Sequence, residues 1–131
     1  MQEDTQSVVL VVEDDDSVRA VTCEILRTEG YRVLQATDAS EGLALIRREG
    51  GRVNLTITDV VLPEVNGVEF AKQVRKLYPA IPILLVSGYL EDVLSQYPGD
   101  TYGLSTMEKP FTVGQLRTFV RECLDRPHHV A

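Results

Sequence analysis

Residues 8–26 read VVLVVEDDDSVRAVTCEIL, an apolar run followed by an acidic turn and then by apolar residues at helical spacing. The run at residues 8–12 is rich in β-branched side chains, which favours a strand that is buried on both faces. After the turn, Val18, Val21, Ile25 and Leu26 recur every three or four positions, as on one face of an amphipathic helix. The segment therefore predicts a strand, a loop and a helix, in that order.

The same pattern recurs along the chain at intervals of about 25 residues, which is the spacing of strand–helix units. Apolar runs with β-branched residues define five expected strands, at residues 8–12, 32–35, 55–58, 81–86 and, more weakly, 105–108. Between these runs the apolar residues return to helical spacing. Strands that alternate with helices predict a doubly wound α/β fold, in which a five-stranded parallel sheet carries helices on both faces.

The expected helices carry end signals of their own. Asp38, Asn66 and Thr112 each stand three residues before a Glu or a Gln, which is the spacing of a helix capping box. Pro98 and Gly99 closely follow the fourth helical segment. We therefore expect that helix to span about two turns.

Length and composition exclude several classes of protein. The 131 residues suit one domain, and 13 basic against 20 acidic residues give a net charge of −7. A nucleic-acid-binding surface needs clustered Lys and Arg, and the same acidic balance disfavours an anionic membrane. No apolar run approaches the roughly 20 residues that span a bilayer, and the start of the chain lacks the pattern of a signal peptide. We therefore expect a cytoplasmic protein that binds neither nucleic acid nor membrane.

The two cysteines, Cys23 and Cys123, lie among apolar residues at helical spacing. No Cys-x-x-Cys pair and no neighbouring His accompanies them. We expect buried, reduced thiols rather than a disulfide or a metal site.

Charged or polar residues follow four of the five expected strands. Glu13 and Asp14 follow the first strand, Asp59 the third, Ser87 the fourth and Lys109 the fifth. In a doubly wound sheet the carboxyl ends of the strands line the crevice that binds ligands, so we expect these side chains to meet there. An exposed acidic helix start would account for Glu13 and Asp14 alone, but not for the whole set.

The expected crevice has an excess of negative charge. At about 4 Å and an effective dielectric constant near 20, each pair of carboxylates repels by about 4 kcal/mol. Glu13, Asp14 and Asp59 would carry three negative charges. Lys109 would offset one of them, and a divalent cation would offset the other two. Oxygen donors without His or Cys favour Mg²⁺, for which Mn²⁺ can substitute, over zinc or copper. Such a site keeps open positions that suit a phosphoryl oxygen.

The type of phosphoryl chemistry can be narrowed further. No glycine-rich phosphate loop follows the first strand, which disfavours binding of a dinucleotide or a flavin. The remaining possibility is that a carboxylate of the protein is itself phosphorylated. Asp59 is the candidate because it stands alone after its strand, whereas Glu13 and Asp14 are paired and better placed as metal ligands.

Four motifs, in this order, resemble the receiver (response-regulator) domain of bacterial two-component signalling. They read VVEDD at 11–15, TDVVLPEVNG at 58–67, VSG at 86–88 and EKPF at 108–111. The likeness covers about residues 7–125, and we expect 1–6 and 126–131 to be flexible ends. The fold is then expected to be flavodoxin-like, with strand order 2-1-3-4-5.

The resemblance implies a role for each residue at the strand ends. Asp59 would accept the phosphoryl group, Ser87 would hold a phosphoryl oxygen and Lys109 would pair with the phosphate. The peptide bond before Pro110 would be cis. Three residues before Lys109, where the family usually has Tyr or Phe, this chain has Thr106.

The resemblance also implies a ligand set for the magnesium ion. Asp14 would bind the ion directly, and Glu13 would bind it through water. The Asp59 side chain and the backbone carbonyl of Val61 would complete the protein ligands.

The expected function is that of a phosphoacceptor module that takes its phosphoryl group from a histidine kinase or a histidine phosphotransfer protein and then changes a partner-binding face. Such a module catalyses only its own phosphorylation and dephosphorylation, and it can form a homodimer. A phosphatase of the haloacid-dehalogenase type also uses a strand-end Asp, but it needs a second Asp where this chain has Val61. A receiver-like interaction or dimerisation module that acts without phosphate is the other alternative. The chain suits either a single-domain regulator or the receiver of a hybrid histidine kinase.

Overall fold

The structure is a computed structural model that describes residues 6–97, 99 and 103–125. Strands and helices alternate through this part of the chain. The strands are β1 (Val8–Val12), β2 (Arg32–Ala36), β3 (Leu55–Asp59), β4 (Ile83–Ser87) and β5 (Ser105–Glu108). The helices are α1 (Asp16–Thr28), α2 (Ala39–Arg48), α3 (Gly67–Leu77), α4 (Leu90–Gln96) and α5 (Val113–Asp125). Of the predicted flexible ends, residues 1–5 and 126–131 lie outside the described residues.

The five strands form one parallel sheet in the order β2-β1-β3-β4-β5. This order confirms the predicted doubly wound α/β fold and its flavodoxin-like topology. All residues of β3 and β4 are buried. The registers pair Asp59 with Val86 and Ser87 with Glu108. The predicted site residues therefore meet at the edge of the sheet that is formed by the carboxyl-terminal ends of the strands.

An apolar layer covers each face of the sheet. On one face, α1 and α5 pack through fully buried residues such as Leu26 and Leu116. On the other face, α2 and α3 pack through Ile46 and Phe70. The short helix α4 contributes Val93 to a smaller cluster. Burial on both faces explains why β1 and β4 are almost entirely apolar rather than alternating, whereas the edge strands β2 and β5 are partly exposed and carry polar residues.

The helix ends follow the predicted signals. The side chains of Asp38 and Asn66 accept hydrogen bonds from the backbone N–H groups three residues later. Thr112 and Gln115 form a complete capping box, in which each side chain bonds to the backbone N–H of the other residue. Helix α4 has seven residues, which confirms the prediction of about two turns.

The fourth strand differs from its predicted bounds. The apolar run suggested residues 81–86, but the strand begins at Ile83 and ends at Ser87. Pro82 has no N–H to donate to a neighbouring strand, although its carbonyl accepts a hydrogen bond from Thr56 N–H at 3.0 Å. The strand is therefore displaced towards the edge of the sheet at which Ser87 lies.

Both cysteines are free and buried, as predicted. Cys23 and Cys123 belong to the same apolar cluster between the sheet and the α1–α5 layer. In the described part of the chain, none of the helices combines the length and the apolar character that crossing a membrane requires.

Candidate functional site

Asp59 ends β3 and is largely shielded from solvent, with 9% of the residue exposed. Its Oδ2 accepts a hydrogen bond from Lys109 Nζ at 2.8 Å, and its Oδ1 accepts one from Val61 N–H at 3.3 Å. The hydroxyl of the buried Thr58 donates to the Asp59 carbonyl at 2.9 Å. Neighbouring groups therefore hold both the carboxylate and the main chain of Asp59.

Lys109 approaches this carboxylate from the loop after β5. Its Nζ lies 2.8 Å from Asp59 Oδ2 and 3.2 Å from Glu13 Oε1. Burial favours the neutral amine, but the hydrogen bond to Asp59 and the charges of Asp59 and Glu13 outweigh this effect, so the pKa of Lys109 is raised. The ammonium group remains positively charged between the two carboxylates. The bond from Lys109 to Pro110 is cis, as the resemblance implied.

Glu13 follows β1 and is 6% exposed. Its Oε2 accepts a hydrogen bond from Asp15 N–H at 3.1 Å, and its Oε1 faces Lys109. Burial raises the pKa of Glu13; the bond from Asp15 opposes the rise, and the negative charge of Asp59 adds to it. Asp14, the next residue in the chain, is exposed.

Ser87 ends β4, beside β3, and is 2% exposed. Its Oγ accepts a hydrogen bond from Tyr89 N–H at 2.9 Å, which leaves the hydroxyl hydrogen for another acceptor. A hollow of about 530 Å³ opens beside Ser87, and Val61 and Tyr89 are among the residues that line it. These two residues are 66% and 72% exposed.

The structure thus brings Glu13, Asp59 and Lys109 into direct contact. Ser87 lies on the strand next to Asp59 and is linked to Lys109, because its carbonyl accepts the Lys109 N–H at 2.9 Å. Val61 contacts Asp59 through its backbone N–H. One cationic side chain therefore faces two buried carboxylates, so the negative charge at this edge of the sheet is only partly offset.

The donor set suits Mg²⁺. Within residues 6–97, 99 and 103–125, no three His, Cys, Asp or Glu side chains are grouped so that they could enclose a metal ion. Mg²⁺ does not require such a group, because it binds through one or two carboxylates and keeps several waters. The available donors are carboxylate and carbonyl oxygens at the ends of β1 and β3, and hard oxygens are what this ion prefers.

Sequence reasoning missed two groups that hold the site in place. Arg19 on α1 donates from Nη1 to the Glu13 carbonyl at 2.8 Å, and Thr58 holds the carbonyl of Asp59. Arg19 had a local signal, since Asp16 precedes it at the i,i+3 spacing of a helical ion pair. That spacing does not reveal the contact with the Glu13 carbonyl, which depends on how the chain turns after β1.

Comparison with known proteins gives consistent matches over most of the chain. The family model of the response regulator receiver domain matches residues 9–121. The sequence is 38% identical over 120 residues, 90% of this chain, to the sensor kinase CckA of Brucella abortus (strain 2308). It is 35% identical over 121 residues, 92% of this chain, to the uncharacterized transcriptional regulatory protein YbdJ of Bacillus subtilis (strain 168).

The fold matches solved structures equally well. The crystal structure of the receiver domain from the hybrid histidine kinase CckA aligns with a TM-score of 0.78 and 31% identity, covering 91% of this chain and 100% of that one. The chain spans 12% of the length of the sensor kinase CckA and 51% of the length of YbdJ. The likeness therefore concerns one domain of each of these relatives.

Proposed function

The chain belongs to the family of response regulator receiver domains, which are modules of two-component signalling, and we propose that its Asp59 accepts a phosphoryl group in a Mg²⁺-dependent reaction. The observation that carries the proposal is the 2.8 Å contact between Asp59 Oδ2 and Lys109 Nζ. It joins a nucleophilic oxygen to a fixed positive charge, and transfer of a phosphoryl group to a carboxylate needs both.

In the proposed reaction, a carboxylate oxygen of Asp59 attacks phosphorus in line with the leaving group. The new O–P bond forms as the bond from phosphorus to an imidazole nitrogen of the donor breaks, and that nitrogen keeps the electron pair. Lys109 offsets charge on the phosphoryl oxygens. Ser87, on the neighbouring strand, donates its hydroxyl hydrogen to one of these oxygens.

The proposal assigns the metal to the acidic end of the sheet. Asp14 and Asp59 would bind the ion directly with the Val61 carbonyl, and Glu13 would bind it through water. When bound, Mg²⁺ neutralises negative charge on the phosphoryl oxygens. Attack of water on phosphorylated Asp59, which returns the carboxylate and releases phosphate, belongs to the same proposal.

The proposed phosphodonor is a histidine kinase or a histidine phosphotransfer protein, and the cytoplasm is the proposed location. The likeness to the receiver of a hybrid histidine kinase supports such a kinase as one setting for this module. A homodimer is compatible with this proposal and is not required by it.

The alternatives have less support. A phosphatase of the haloacid-dehalogenase type would need an acidic side chain at the position of Val61, which is apolar and exposed. A module that acts without phosphate would have no need of a lysine in contact with two buried carboxylates, because such an arrangement is costly to desolvate.

Incubation with a small phosphodonor, followed by mass spectrometry of the intact protein, tests the proposal. We expect the mass of one phosphoryl group to be added in the presence of Mg²⁺, and little addition in the presence of a chelator. Asp59→Asn should abolish the addition, whereas Asp125→Asn, an exposed aspartate at the end of α5, should leave it unchanged. Addition to Asp59→Asn at the rate of the unmodified protein would contradict the proposal.

A further inference from the structure

One arginine outside the predicted site connects three elements around the acidic loop. Arg19 lies near the start of α1, and its side chain is only 15% exposed. Nη1 donates to the Glu13 carbonyl at 2.8 Å, Nε to Gln35 Oε1 on β2 at 3.2 Å, and Nη2 to Asp16 Oδ1 at 2.7 Å. Because a guanidinium is a rigid, planar set of donors, these bonds also fix the three acceptors relative to one another.

The bond to the Glu13 carbonyl constrains the residue that follows. A carbonyl and the next N–H belong to one planar peptide unit, so holding the Glu13 carbonyl also orients the N–H of Asp14. The Glu13 N–H donates to the Ala36 carbonyl at 3.0 Å, so the peptide units on both sides of Glu13 are anchored. On the other side of Asp14, Asp15 caps α1 by accepting the N–H of Val18. The main chain around Asp14 is therefore fixed although its side chain is exposed.

We propose that Arg19 is a positioning residue for the magnesium site, which acts by holding the Glu13–Asp14 peptide so that the Asp14 carboxylate is presented to the ion. The inference rests on the proposed function, because it takes Asp14 as a ligand of Mg²⁺. Arg19 itself touches neither the ion nor the phosphoryl group. Groups that orient metal ligands in this way typically change metal affinity by about 10- to 100-fold when they are removed.

Charge and positioning predict opposite effects of removing Arg19. The guanidinium carries a positive charge beside four consecutive acidic residues, 13–16. Its removal would strengthen the attraction of this loop for a cation if charge were the whole effect. If Arg19 acts by positioning, its removal weakens Mg²⁺ binding even though a repulsive charge is lost. The direction of the change in affinity therefore separates the two roles.

The test uses two variants and a matched control. Arg19→Met removes the donors and the charge while keeping a long side chain, and Arg19→Lys keeps the charge but lacks the planar set of donors. Arg27→Met removes an exposed arginine from the last turn of the same helix. The Mg²⁺ dissociation constant is measured from the shifts of backbone amide resonances, without any phosphodonor. Amide hydrogen exchange at Glu13 and Asp15 is measured without Mg²⁺, and chemical unfolding verifies that each variant is folded.

We expect the dissociation constant for Mg²⁺ to rise about tenfold in Arg19→Met, to rise as well in Arg19→Lys, and to stay unchanged in Arg27→Met. The amides of Glu13 and Asp15 should exchange faster in both Arg19 variants. Binding of Mg²⁺ to Arg19→Met that equals or exceeds that of the unmodified protein would overturn the inference, and so would full affinity in Arg19→Lys.

The outcomes distinguish this inference from the proposed function. If the unmodified protein shows no Mg²⁺-dependent shifts, the proposed function fails, and Arg19 cannot be a positioning residue for the metal. If the unmodified protein binds Mg²⁺ and is phosphorylated while Arg19→Met behaves identically, only the inference fails. If Arg19→Met does not fold, the comparison of Arg19→Lys with the unmodified protein decides.

Discussion

Lys109 reaches across β4 to Asp59: its Nζ lies 2.8 Å from Asp59 Oδ2, although β3 and β5 are not neighbours in the sheet. The backbone of Lys109 is anchored to the strand between them, because its N–H donates to the Ser87 carbonyl at 2.9 Å. Lys109 is thus bonded to β4 through its main chain and to Asp59 on β3 through its side chain. The ammonium group is therefore held in place at the ends of the strands, unlike that of a mobile surface lysine.

Replacing Lys109 by Met should slow phosphorylation of Asp59 by about 100-fold, because the loss of one fixed group that stabilises developing charge typically costs 10²- to 10³-fold in rate. The rate is measured from the time course of mass addition with a small phosphodonor and Mg²⁺. Lys72→Met, which removes an exposed lysine paired with Glu69 on α3, is the matched control and should keep the original rate. A Lys109→Met protein that is phosphorylated as fast as the control would show that this charge is dispensable.

Gly67, the first residue of α3, should not tolerate a side chain. A Cβ atom at this position would overlap the carbonyl of Asp59 and lie 2.8 Å from the Cα of Val60. Both are backbone atoms that cannot rotate away, so Gly67→Ala should lower the free energy of unfolding by about 1 to 3 kcal/mol, as overpacking does. It should also displace Asp59 and slow its phosphorylation.

The control for this prediction is Gly114→Ala, near the start of α5, where the nearest atom to an added Cβ is Thr112 Oγ1 at 3.8 Å. Alanine favours helices over glycine, so this change should raise the free energy of unfolding slightly, by up to about 1 kcal/mol. Urea denaturation measures both variants. Equal effects of the two substitutions would refute the argument from the close approach of Gly67 to Asp59.

Removal of the hydroxyl group of Thr56, on β3, should stabilise the protein. The residue is fully buried, and among the described residues its Oγ1 is the buried side-chain polar atom without a hydrogen-bond partner. Thr56→Val keeps the shape of the side chain and should raise the free energy of unfolding by about 1 kcal/mol. Thr58→Val makes the same change two residues later, where the hydroxyl donates to the Asp59 carbonyl at 2.9 Å, and should lower it by about 1 kcal/mol. Denaturation of the two variants should therefore show changes of opposite sign.

The sequence pattern predicted the fold well because the pattern and the fold share one cause. Strands buried on both faces are mostly apolar, and the helices between them must each bury one face. The strand ends could then be read as the places where apolar runs stop, which located Asp59, Ser87 and Lys109 correctly. The predicted start of β4 was wrong, because the apolar run includes Pro82, which has no N–H to donate to a neighbouring strand, and the strand begins only at Ile83.

The contacts that hold the site together could not be predicted in the same way. Arg19 stands three residues after Asp16, which is the spacing of a helical ion pair, and the structure has that pair. Its bonds to the Glu13 carbonyl and to Gln35 depend on the turn after β1 and on the register of β1 with β2. Neither is a property of a short stretch of sequence. For the same reason, the two carboxylate partners of Lys109 follow only from the assembled sheet.

The contribution of Cys23 to stability should fall at alkaline pH. Burial raises the pKa of Cys23, and this outweighs the opposing positive charges of Arg27 and Arg19. Because the thiol is harder to ionise in the folded protein, this contribution to stability is fully present below the ordinary thiol pKa of about 8.5 and is lost as the pH rises above it. We expect the stability advantage of the unmodified protein over Cys23→Ala to be smaller at pH 9.5 than at pH 7. An advantage that is equal at both pH values, measured by urea denaturation, would contradict this account.

The phosphoryl group on Asp59 should be long-lived, because Val61 and Tyr89 offer attacking water neither a carboxylate nor an amide. Both side chains line the hollow beside Ser87, and we expect the ring of Tyr89 to limit the access of water to the phosphoryl group. Tyr89→Ala should therefore shorten the lifetime severalfold, measured from the loss of phosphoryl mass after the donor is removed. Tyr89→Phe keeps the ring and should keep the lifetime, as should Leu94→Ala, which removes an exposed apolar side chain of α4. If neither Tyr89→Ala nor Val61→Ala changes the lifetime, shielding by these residues does not control the loss of the phosphoryl group.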